Sequence, residues 1–71
     1  RLGGLPGAVD HLRQALRIDK YHYQAHNSLG EILVTQGKLP EAKAQFEQAL
    51  QIRPDYVPAR QNLAKTLAAG R

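Results

Sequence analysis

The chain of 71 residues contains no cysteine, no methionine and no tryptophan, and its aromatic residues are three tyrosines and one phenylalanine. Without cysteine there are no disulfide staples and no thiolate ligands or nucleophiles, so a chain this short must draw its stability from regular packing. The lack of disulfides fits a reducing compartment such as the cytoplasm, but exported proteins share it, and the compartment stays unassigned. The missing methionine and the start at Arg1 lead to the expectation of an internal or trimmed piece of something longer. No apolar run approaches the ~20 residues that span a bilayer, and no segment has the layout of a signal peptide. A soluble chain without membrane insertion is expected.

Groups able to do chemistry are equally scarce. His11, His22 and His26 are the only histidines. His22 and His26 stand one helical turn apart, as two zinc ligands would, but no third ligand is near, and no metal is expected. Gly3, Gly4 and Gly7 superficially suggest a phosphate loop. They lack a preceding strand and the following Lys-Ser/Thr, so they are read as a turn. No serine or carboxylate pair is arranged for nucleophilic or general acid–base work. The chain is expected to be no enzyme, with neither cofactor nor metal.

Charge is modest. Ten lysines and arginines against six acids give a formal net charge of +4. The cations are interleaved with Asp10, Asp19, Glu31, Glu41, Glu47 and Asp55, whereas a nucleic-acid footprint gathers on one face or tail. The pattern reads as a solvated helical surface whose slight excess favours acidic partners over nucleic acid.

What is abundant is repetition. A shift of 34 residues superposes Gly3 on Gly37, Leu5 on Leu39, Pro6 on Pro40, Ala8 on Ala42 and Gln14 on Gln48. It also superposes Ala15 on Ala49, Leu16 on Leu50, Ile18 on Ile52, Ala25 on Ala59, Leu29 on Leu63 and Leu33 on Leu67. A fixed period of this length marks a stacked-repeat protein, in which each unit buries its apolar face against a neighbour.

Within one period, two helices follow from the apolar spacing. Ala25, Leu29, Ile32 and Leu33 form a stripe on a helix from about Tyr23 to Gln36, closed by Gly37 in a left-handed conformation. Ala42, Phe46, Ala49 and Leu50 form the stripe of a helix from about Leu39 to Ile52, with Pro40 in its first turn and Pro54 beyond its end. The same pattern predicts helices from about Leu5 to Ile18, opened by Pro6, and from about Tyr56 to Ala69, with Pro58 near its start. The expected architecture is all-α: four helices in antiparallel hairpins within a single unit, residues 1–71. Residues 1–22 hold the second helix of one repeat, 23–56 a complete repeat, and 57–71 the first helix of a further one.

The series His26-x2-Leu29-Gly30-x2-Leu33, then Ala42-x3-Phe46, Ala49 and Pro54, resembles the tetratricopeptide repeat over the whole chain. Gly30, Ala42 and Ala49 are small where paired helices approach, and Leu29, Leu33 and Phe46 are large where the hairpin needs filling. His26 and Arg60 replace the usual aromatic, Leu33 and Leu67 replace tyrosine, and Lys20 stands in place of a terminal proline. Ordinary rather than high stability is expected, with a less sharply fixed end to the first helix. Tyr21, His22 and Tyr23 fall at a hairpin junction and are expected to pack between repeats.

The resemblance implies a right-handed α-solenoid whose first helices line a concave, protein-binding face. Carried over, that face comprises Gln24, Asn27, Ser28, Glu31, Val34 and Thr35, then Gln61, Asn62, Lys65, Ala68 and Ala69. Its amides would meet a peptide backbone. The carboxylate clamp of some relatives is not expected, because Glu31 follows Asn27 by one turn and Gln61-x3-Lys65 brings one cation. Asn62 resembles the asparagine ladder of arrays attached to sugar-transferring enzymes, although Ser28 holds the equivalent place. The resemblance therefore implies an interaction scaffold for a protein or peptide, with two alternatives: a substrate-recruiting segment of a larger enzyme such as a glycosyltransferase, or an assembly module. The last follows from the stripes Ala8, Leu12, Leu16 and Leu63, Leu67, expected to be partly exposed at the two ends and open to self-association.

Overall fold

A computed structural model describes the backbone of residues 4–70 and the side chains of residues 9–70. Each stop signal in the sequence ends a helix. Four helices follow one another as α1 (Gly4–Ile18), α2 (Tyr23–Thr35), α3 (Leu39–Ile52) and α4 (Val57–Ala69). There is no strand among the described residues.

The glycine-rich start corrects one expectation. Gly4 and Gly7 lie inside α1 rather than in a turn, while Gly3 lies outside the described residues. Glycine disfavours a helix by only about 1 kcal/mol per residue, too little to outweigh the helical pattern of the residues that follow.

The α2–α3 turn is closed by backbone geometry. Lys38 N–H donates to Leu33 O at 2.9 Å and Gly37 N–H to Val34 O at 3.0 Å, the paired bonds of a Schellman closure. Gly37 makes it possible at φ 77°, where a Cβ would cost energy through the backbone alone, since nothing lies within 4 Å of that site. Gly37→Ala should therefore lower stability by about 1 kcal/mol, read as a lower urea midpoint at unchanged slope. An unshifted midpoint would show that the turn relaxes without strain.

The other ends are built differently. His22 Nδ1 accepts from Ala25 N–H at 3.1 Å and so caps α2. Helices α3 and α4 carry proline in their first turn, at Pro40 and Pro58, where the missing N–H leaves no bond unmade.

Packing is sequential. Helix α1 lies on α2, α2 on α3 and α3 on α4, and α2 also touches α4. Leu29, Leu33, Ala42 and Phe46 form the buried core, with Val9, Leu12, Leu16 and Leu63 packed around it. Ala49 and Ala59 are buried as well, in keeping with small residues where helices meet. Gly30 is needed for the same reason: a Cβ there would stand 2.7 Å from Phe46 Cδ1 and 2.8 Å from Cζ. The ring of α3 rests on the backbone of α2.

Of the stripes expected to be exposed, Leu12, Leu16 and Leu63 are half-buried and Leu67 is exposed. Ala8 lies outside the described side chains.

Candidate functional site

The arrangement of helix pairs sets the site. Helices α2 and α4 approach each other closely, whereas α1 and α3, the helices that follow one another on the other layer, bring no pair of Cα atoms within 8 Å among the described residues. A stack that is close on one layer and open on the other bends toward the close one. The trough between α2 and α4 is the inner side of that bend.

Amides hold the two walls together. Asn62 Nδ2 donates to Asn27 Oδ1 and to Glu31 Oε2, both at 3.0 Å. Thr66 Oγ1 donates to Asn62 O at 2.7 Å within α4. Beside this network lies a cleft of about 240 Å³ lined by Glu31, Val34, Phe46, Asn62, Lys65, Thr66 and Ala69. Five residues assigned to the inner face by resemblance thus meet in one hollow: Glu31, Val34, Asn62, Lys65 and Ala69. Phe46 and Thr66 were not among them. Phe46 had been assigned only to the hairpin core, and Thr66 stands where the preceding repeat has Ile32, so neither carried a signal for the groove.

The remaining assigned residues are dispersed. Asn27 is buried and its Oδ1 is taken by Asn62. Gln61 lies in another hollow formed on α4 alone, with Val57, Arg60 and Ala64. Gln24 and Ala68 are exposed and Ser28 is half-buried. Thr35 is exposed and donates its hydroxyl to Ile32 O at 2.6 Å. Glu31 and Lys65 line the same cleft without forming an ion pair; among the described residues the one ion pair is Arg53–Asp55 at 3.2 Å.

The hairpin junction behaves only in part as expected. Tyr23 packs edge-on against Tyr56, with ring centroids 4.8 Å apart, and its hydroxyl accepts from Arg53 at 2.9 Å. Tyr23, then Asp55, push the Arg53 guanidinium above its usual range, so it stays cationic. Tyr21 does not pack between helices: it is 64% exposed, with Lys20 above its ring.

The histidines at the zinc-like spacing do other work. His26 is buried, with Nε2 2.9 Å from Lys20 O and Nδ1 2.8 Å from Gln45 Oε1. A backbone carbonyl has no proton to give, so Nε2 donates to Lys20 O; Nδ1 is then the acceptor and is met by the Gln45 amide through its NH2, by a flip that exchanges amide O and N. Two hydrogen bonds thus replace the aromatic packing lost at this position, and the one to Lys20 O ties down the segment after α1, where the terminal proline is missing. Among the described residues no group of three or more His, Asp or Glu could hold a metal ion.

The family described as TPR repeat matches residues 30–69, more than half of the chain, from the middle of α2 through α3 and α4. The chain belongs to the tetratricopeptide-repeat family. TPR repeats are in general protein–protein interaction modules, and the family is typically a non-enzymatic scaffold. A comparison with curated proteins finds no match. No described helix of this TPR chain is long and apolar enough to cross a membrane.

Proposed function

We propose that this TPR chain works as an interaction scaffold that holds an extended segment of a partner protein in the trough between α2 and α4. The observation that carries the reading is the cleft between these helices, where Val34 and Ala69 supply an apolar floor above the buried Phe46 ring and Glu31 and Lys65 supply one charge of each sign. A hollow of about 240 Å³ suits a short aliphatic side chain rather than a whole helix. Glu31 then favours a cation on one flank of the bound segment and Lys65 an anion on the other, which sets its direction. The Oδ1 of Asn62 is left for a backbone N–H, since its Nδ2 is engaged with α2.

Titration of the chain against a panel of extended peptides, with and without a central valine or leucine flanked by opposite charges, tests this. Val34→Glu and Ala69→Arg alter exposed groove positions and leave the core intact. Each should weaken the best peptide by about tenfold or more, because a buried unpaired charge or a filled pocket cannot be accommodated at a contact centre. Equal affinity for parent and variants would place binding elsewhere.

A further inference from the structure

We propose that the open groove between α1 and α3 is a second interaction surface, one that takes an acidic segment of a partner protein. A hollow of about 340 Å³ opens between α1 and α3, a second of about 470 Å³ opens beside it between the α1–α2 connection and α3, and both reach His26. They share no residue with the α2–α4 cleft.

The two walls differ in chemistry. Arg13, Arg17 and Lys20 stand on the side of α1, and Gln45, Gln48 and Gln51 on the side of α3. No carboxylate lines either hollow. None of the three cations is in an ion pair among the described residues. Asp19, next to Lys20 in the chain, accepts from Tyr21 N–H at 3.0 Å.

Repeat packing does not require this cationic edge. One period later the same positions are Glu47, Gln51 and Pro54, on a helix that packs normally. Arg13 and Arg17 are like charges one turn apart, an arrangement that opposes helix formation. Arg17, in the last turn of α1, complements the helix dipole, but the fold places no opposite charge in either hollow, and Lys20 replaces a helix-stopping proline. A ligand supplies what the fold does not: negative charge.

Geometry narrows the ligand to a peptide. Arg13 and Arg17 are separated by about 6 Å along the helix axis, close to the ~6.6 Å between alternate side chains of an extended strand. Acidic residues at every second position of a bound segment would meet both guanidiniums, and a third would approach Lys20. The glutamines opposite can both donate to and accept from the peptide bonds between them. Three cations in one short line are few for a nucleic acid, whose binding rests on neutralising many phosphates.

The test uses the 71-residue chain and a fluorescein-labelled decapeptide of alternating glutamate and glycine, read by fluorescence anisotropy. Arg13→Glu with Arg17→Glu should weaken binding by about tenfold or more, and the milder Arg13→Gln with Arg17→Gln by several-fold, with unchanged far-UV circular dichroism. Lys43→Glu with Arg60→Glu changes the net charge equally but lies outside the groove, and should cost less than about threefold. Val34→Glu, which obstructs the α2–α4 trough, should leave this binding unchanged and so separates the two surfaces. The proposal is overturned if the peptide does not bind, if the control pair costs as much as the groove pair, or if a single-stranded oligonucleotide of equal charge binds more tightly.

Discussion

Phe46→Ala should leave the chain largely unfolded at 25 °C, seen as loss of helical circular dichroism without denaturant. Phe46 is completely buried and is one of the two largest side chains in the core. Truncating such a ring costs about 3–5 kcal/mol, from lost burial and from the cavity left behind. A single core in a chain of fewer than about 80 residues supplies only about 3–5 kcal/mol, and no disulfide is present to limit the unfolded state. The neighbours cannot easily collapse into the gap, because Leu29, Leu33 and Ala42 sit on helices already in contact. Phe46→Leu keeps much of the volume and should cost about 1–2 kcal/mol. A Phe46→Ala chain that melts within a few degrees of the parent would mean that the ring is not the centre of the core.

The second large effect is expected at Gly30, where two influences oppose each other. Alanine is favoured over glycine inside a helix by about 1 kcal/mol. Here its Cβ would be driven into the fully buried Phe46 ring, and overpacking of this kind costs about 1–3 kcal/mol, more for valine. The clash wins, so Gly30→Ala should lower the urea midpoint and Gly30→Val should unfold the chain. The cause can be isolated: combining Gly30→Ala with Phe46→Leu should be less destabilising than the sum of the two changes, because the smaller side chain vacates the space the methyl needs. Strict additivity would argue against a direct clash. Ala64, the counterpart of Gly30 one repeat later, already carries a Cβ and is exposed.

The period made the helices, Gly37 and the small residues of the core legible in advance, because each of those features depends on neighbours within one repeat. Gly30 could be named as a point of close approach through the resemblance to the repeat pattern. The inner face was less legible. Asn27 and Asn62 stand at different places in the repeat, and nothing in spacing says that one amide will be buried accepting from the other across 35 residues. The position of Gln61 on a separate hollow depends on the rotation of α4 against α2, which the apolar stripe of α4 fixes only loosely. His26 replaces the usual aromatic, and what it offers instead is two hydrogen-bond partners, Lys20 and Gln45, brought together only by tertiary packing.

That imidazole also decides how the molecule yields under load. By joining the end of the α1–α2 connection to α3 through α2, His26 welds the outer layer at one point inside the fold. The inner layer is bridged between α2 and α4 by side-chain bonds of Asn62 and Glu31, the latter exposed to water that can take their place. The trough can widen by exchanging the Asn62–Glu31 bond for water, while the Asn62–Asn27 bond, with Asn27 buried, holds its floor together.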